Sequence, residues 1–200
     1  LFSGKAKQII NIPIALASAM STAVIPGVSG SYAQGNMRET NRKMGMAMRT
    51  TMLLSIPAAV GLAVLSRPIV LLLYPQKESV DTVSYLVAGL SISVVFYAIS
   101  TISNGVLQGI GKVSIPVINA AVALVIQTAV LVPLLLFTEL ELFTLVIATV
   151  LYAFLMCILN GISVRKHLGY RQEIVKTFCI PFWASMIMGA AAFGVYYGLY

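Results

Sequence analysis

Residues 8–37 read QIINIPIALASAMSTAVIPGVSGSYAQGNM, and no charged side chain interrupts them. A helix needs about 20 predominantly apolar residues to cross the hydrocarbon core of a bilayer. This stretch exceeds that length, so it reads as a membrane span. Its apolar residues follow no period of two, which excludes the alternating strands of a β-barrel. Five more charge-free runs follow: Thr50–Ser66, Thr82–Gly111, Val113–Thr138, Leu142–Val164 and Thr177–Tyr200. Thr50–Ser66 is short, but it continues through Arg67 into Pro68-Ile-Val-Leu-Leu-Leu-Tyr-Pro75. The expected fold class is all-α: a polytopic transmembrane bundle of about six helices.

Composition agrees. Hydrophobic residues make up 59% of the 200 and charged residues 10%, with a mean hydropathy of +0.95. A soluble domain carries roughly a quarter charged residues to cover its surface. Lipid therefore solvates most of this exterior. The net charge of +7 reads as loop charge beside a membrane, and no nucleic-acid partner is expected. The chain opens on Leu1, not Met, and ends within an apolar run, so we expect an internal piece of a longer protein. Cys157 and Cys179 stand alone in apolar surroundings and read as free, buried thiols.

The links between spans alternate in charge. The first holds Arg38, Arg42, Lys43 and Arg49 against Glu39. The second balances Arg67 and Lys77 against Glu78 and Asp81, the third has Lys112 alone, and the fourth has only Glu139 and Glu141. The fifth carries Arg165, Lys166, Arg171 and Lys176 against Glu173. By the positive-inside rule, links one, three and five face the cytoplasm. Lys5 and Lys7 then fall on the outer side, against the pattern.

Polar residues line up along three spans. At about 100° per residue, Lys7, Asn11, Ser18, Ser21, Thr22 and Ser29 share one arc of the first span. Its Ala, Ser, Gly and two prolines mark it as an interior helix. Ser93, Tyr97, Ser100, Thr101, Asn104 and Gln108 align on the third span, and Thr149, Tyr152, Asn160 and Ser163 on the fifth. The Leu-, Val- and Ile-rich fourth span adds only Asn119 and Gln127 and, like the fifth, reads as lipid-facing. Such stripes serve either interhelical hydrogen bonding or a hydrated cavity. Gly105-Val-Leu-Gln-Gly109 is also a GxxxG, which alone accounts for close helix contact.

No acidic residue lies deep in any run, so an ion-coupling carboxylate is not expected in this segment. No constellation points to a metal, a cofactor or catalysis. His167, the sole histidine, sits in the basic Arg165-Lys166-His167 and reads as solvated or facing headgroups. An enzyme is not expected.

The segments KAKQIINIPIALASAMSTAVIPGVSGSYAQGN, SIPAAVGLAVLSRPIVLLLY and NGVLQGIGKVSIPVINA together resemble the polysaccharide exporter and flippase branch of the multidrug/oligosaccharidyl-lipid/polysaccharide superfamily, whose fold is MATE-like. Within it, the stage V sporulation protein B and lipid II flippase types are the most similar. Pro13, Pro26, Pro57, Gly61, Leu107, Gln108, Gly109, Gly111, Lys112 and Pro116 carry the likeness. The resemblance implies two six-helix lobes related by a pseudo-twofold along the membrane normal, plus additional helices. Residues 1–168 then correspond to the second lobe from its second helix onward, about five helices, with the first lobe missing. Residues 169–200 correspond to an additional, truncated transmembrane helix.

The implied activity is translocation of a polyprenyl-pyrophosphate-linked saccharide, such as a peptidoglycan precursor, by alternating access in a bacterial inner membrane. Partners would be that substrate, membrane lipid and the missing lobe. The family's arginine near the start of this helix falls at Gln8, beside Lys7. Lys5 and Lys7 are the candidate anion contacts, and Lys7 is favoured. Gln8, Asn11, Ser18, Ser21, Asn104, Gln108 and Asn160 complete the candidate substrate cavity. Two alternatives remain open: a cation-coupled multidrug antiporter of the same fold, and a non-transporting scaffold in spore or wall assembly.

Overall fold

The computed structural model describes residues 2–74, 80–137, 141–170, 172–173 and 175–198. Its elements are α1 (Phe2–Ala33), α2 (Met37–Val64), α3 (Ser66–Leu73), α4 (Val80–Gly109), α5 (Ser114–Phe137), α6 (Glu141–Leu168), a π-helical turn (Val175–Cys179) and α7 (Ile180–Gly198). Among the described residues all regular structure is helical, and six helices are long and apolar enough to span a membrane. Of the link charges, Lys77, Glu78, Glu139 and Arg171 lie outside the described residues.

The second span differs from its expected limits. It begins at Met37, and most of the first basic link forms the opening turns of α2. Asn36 caps it, its Oδ1 accepting from the Glu39 amide at 3.0 Å; this satisfies one of the amide donors a helix start leaves unpaired. At its far end α2 stops before Leu65, and Ser66–Leu73 forms a separate short helix. Pro68 explains the break. In an unbroken helix its ring would collide with the preceding turn, but in the first turn of α3 its missing N–H costs nothing.

α4 is the central helix. In its most apolar window 61% of residues are buried, against 17% for α5 and for α7. Two apolar clusters run along it. One gathers Met44, Met48 and Met52 of α2 with Ile102 and Leu107 of α4. The other gathers Ile9 and Ile10 of α1 with Val83, Val87 and Leu90 of α4. α1, α2 and α6 pack directly on α4, α5 on α6, and α7 on α2. At that last contact the bare Cα of Gly189 meets Val60.

α1 is less interior than its composition suggests, with 28% of its window buried. Its small residues lie on both sides: Ala15, Ser18, Ala19, Thr22 and Ala23 are exposed, while Ala17 and Ser21 are buried, and the closest approach is to α4. There Gly105 and Gly109 admit Ser21, Ile25 and Ser29 of α1, so close packing accounts for the GxxxG glycines. A Cβ at Gly105 would overlap the Ser21 hydroxyl and approach Ile25 at 3.2 and 3.3 Å. Ser21 itself is buried and donates to the Thr101 carbonyl at 3.1 Å. Gly105→Ala is therefore expected to destabilise the protein by about 1–3 kcal/mol, as overpacking does. Adding Ser21→Ala should restore part of that loss, read as the thermal midpoint in detergent. A double variant no more stable than Gly105→Ala would show that the α1–α4 contact is limited elsewhere.

Candidate functional site

Four helices enclose a cleft of about 390 Å³ at the end of the bundle where α1 begins. α1 contributes Lys7 and Asn11, α4 contributes Ser93 and Tyr97, α5 contributes Gln127, and α6 contributes Thr149 and Tyr152. Ile10, Ile14, Leu90 and Leu124 supply apolar wall between them. The polar stripes of the three spans thus converge, joined by the lone Gln127 of the fourth. Lys7 is exposed and supplies the cation of this lining; the other polar groups are neutral amides and hydroxyls. The Tyr97 and Tyr152 rings lie 6.3 Å apart, tilted at 45°.

Lys5 and Gln8 point elsewhere. The Tyr74 hydroxyl, just beyond α3, donates to Gln8 Oε1 at 2.7 Å. The Lys5 ammonium sits 4.9 Å above the centre of the same ring, a cation–π geometry. Residues one and two positions apart on a helix face different directions. Lys7 is thereby separated from both neighbours, and it alone of the three lines the cleft. Tyr74 was not recognisable as their partner in the sequence, because the connection follows from how α3 folds back on α4.

One to two helical turns beyond the tyrosines, polar groups are tied to one another. Asn160 is fully buried. Its Nδ2 donates to Ser100 Oγ at 2.9 Å and to Asn104 Oδ1 at 2.8 Å. Its Oδ1 accepts from Asn119 Nδ2 at 2.9 Å, and Asn119 also donates to Ser163 Oγ at 3.0 Å. Asn104 and Asn160 therefore act within an interhelical network, the non-cavity role such stripes commonly serve. Ser18 is exposed and donates to its own helix at the Ile14 carbonyl. Gln108 is exposed at the end of α4.

Of the nine candidate residues, Lys7 and Asn11 line the cleft. Of the polar cleft residues outside that set, Ser93, Tyr97, Thr149 and Tyr152 belonged to the polar stripes, and Gln127 was one of the two polar residues of the fourth span. His167 ends α6 with Nδ1 2.8 Å from the Ser163 carbonyl, within the basic last turn. The thiols are less buried than expected: Cys157 is half-buried and Cys179 exposed on the π-helical turn.

The cleft has a direct test on α5, where Gln127 faces it while Val125 is 66% exposed on the outer surface. In a cysteine-free background, Gln127→Cys should react with a water-soluble maleimide. Val125→Cys should not, because thiolate does not form in hydrocarbon. Equal labelling of both would show that the cleft is not hydrated.

Residues 5–199 match the family described as lipid II flippase MurJ. The chain is 28% identical over 187 residues to the lipid II flippase MurJ of Bacillus subtilis (strain 168). That alignment covers 92% of this chain and 34% of the relative, so the chain spans about a third of its length. A polytopic helical bundle of this hydropathy, matched almost end to end, is a multi-pass membrane protein and belongs to the MurJ lipid II flippase family.

Proposed function

We propose that the protein containing this chain translocates a lipid-linked saccharide, a lipid II-like peptidoglycan precursor, across the bacterial cytoplasmic membrane by alternating access. Family membership supports the reading, and so does the B. subtilis relative, itself named a lipid II flippase. The observation that carries it is the lining of the cleft: one lysine among neutral amides, hydroxyls and two tyrosines. Such a lining suits a polyol bearing an anion. The amides and hydroxyls hydrogen-bond sugar hydroxyls, and the ammonium offsets pyrophosphate charge where water is scarce.

In this reading Lys7 takes the anion contact. Gln8, where an arginine is expected from the family likeness, is engaged with Tyr74. The exposed face of α1 meets the first lobe, and the two lobes together close the substrate cavity. The basic ends, with Arg38 and Arg165, face the cytoplasm; the Lys7 end faces outward. Residues 1–168 act as second-lobe helices and α7 as an additional one. The same site chemistry would serve a sporulation homologue of the stage V type.

The experiment is translocation of labelled lipid II by the full-length protein in liposomes, read as headgroup accessibility to an external reagent. Lys7→Gln should slow it by about tenfold, the effect of losing one charge-assisted contact. Lys7→Arg should retain most of the rate, and Lys5→Gln should have the smaller effect. Absence of movement by the unaltered protein would refute the flippase. An unimpaired Lys7→Gln would refute the lysine's role while leaving the flippase standing.

A further inference from the structure

A second cavity, of about 550 Å³, lies at the opposite end of the bundle from Lys7. α6 packs on α4 and α5, whereas α7 and the π-helical turn pack on α2. A groove is left between them. Its floor is buried and apolar: Met44 and Met48 of α2 and Ile99 of α4. Its walls are Cys157 and Gly161 of α6 and Phe178 of the π-helical turn. Gly161 is exposed, and a Cβ built there meets no atom within 4 Å, so the groove opens past it.

The end of the groove is chemically different. Arg165, Tyr170 and Gln172 line it. Arg165 takes part in none of the ion pairs found among the described residues, whereas Arg49 and Lys176 both engage Glu173. Gln172 Nε2 is buried without a hydrogen-bond partner. A buried amide donor left unpaired costs about 1–3 kcal/mol, so this is a donor waiting for an acceptor. Burial pushes the Tyr170 hydroxyl above its ordinary pKa, with Arg49 opposing and Glu173 adding to the rise. Tyr170 is therefore a neutral hydroxyl and a further donor at neutral pH.

An apolar trough ending in a guanidinium, an amide N–H and a phenol complements the anionic head of an amphiphile and one of its hydrocarbon chains. We propose that this groove is a binding site for an anionic phospholipid, with an acyl chain along Met44, Met48 and Phe178 and the phosphodiester at Arg165 and Gln172. Methionine floors adapt to an irregular chain, and basic pockets between helices at this kind of membrane face attract anionic headgroups. The occupant is resident lipid and not cargo, because the groove and the Lys7 cleft lie at opposite ends of the bundle. The groove's affinity for an anionic amphiphile follows from its own lining and the membrane embedding, whereas the distinction from cargo rests on the flippase reading, which puts cargo at Lys7.

The full-length protein is reconstituted with phosphatidylcholine or phosphatidylglycerol carrying a photoreactive acyl chain, and adducts on Met44, Met48, Cys157 and Phe178 are quantified after illumination. Phosphatidylglycerol should give about tenfold more adduct than phosphatidylcholine, as one charge-assisted contact allows, and Arg165→Gln should remove the difference. Equal yields from the two lipids would overturn the proposal. Stronger competition by an isoprenyl pyrophosphate lipid would also overturn it, by giving the groove to cargo. Gly161→Phe, which fills open space, should lose the phosphatidylglycerol that co-purifies with the unaltered protein; retention at the unaltered level would count equally against the site.

Discussion

The carboxamide of Asn160 is the joint on which three helices meet. Without water in the hydrocarbon core, every polar group there must find a protein partner. Asn160 uses both amide hydrogens, on Ser100 and Asn104 of α4, while its oxygen takes a hydrogen from Asn119 of α5. Each such bond contributes on average about 0.6 kcal/mol in a membrane, too little to hold a bundle together. Its effect is selective: α5, whose surface is largely lipid-facing, has few other reasons to choose one rotation. Asn119 turned toward α6 brings Gln127, two turns on, to the cleft. The shape of the polar cleft thus follows from how the network beneath it is satisfied.

Much of this was readable in the chain. Charge-free runs gave six spans, because burial in lipid makes length and hydropathy nearly sufficient. The stripes on the first, third and fifth spans named most of the cleft, because polar groups turn inward wherever lipid is the alternative. What the sequence withheld were choices made by tertiary contact. A stripe gives the direction of a side chain and not its partner, so Asn160 and Asn11 looked alike before one proved to be a hub and the other a cleft wall. Lys5, Lys7 and Gln8 lie within four residues, yet the fold of α3 draws two of them to Tyr74. The reach of α2 into the first basic link was hidden for another reason: charged first turns look like a loop in hydropathy while still capping as a helix.

The two cavities differ in what they ask of a ligand. The Lys7 cleft is walled by α1, α4, α5 and α6 and sets its polar groups, from Lys7 to Tyr152, among the apolar side chains of Ile10, Ile14, Leu90 and Leu124. The groove beside α7 is apolar along its length and cationic only at one end. One accommodates a headgroup, the other a chain. Central α4 contributes to both, through Ser93 and Tyr97 on one side and Ile99 and Ser103 on the other. Its high burial is what keeps them apart.

Three glycines with positive φ, Gly35, Gly111 and Gly169, follow α1, α4 and α6. All three turns are at the end that carries Arg38 and Arg165, and each reverses or redirects the chain within a few residues, which L side chains adopt only at a cost. The ends of α1, α4 and α6 are thereby gathered on that face. α1 has 32 residues and α5 has 24, a difference of about 12 Å in rise at 1.5 Å per residue. A longer helix meets the same bilayer by tilting, bending or reaching past it, and α1 has Pro13 and Pro26 inside it. Lys7 stands in the second turn of that helix, so the path of α1 from its anchored far end sets the depth at which the charge is presented.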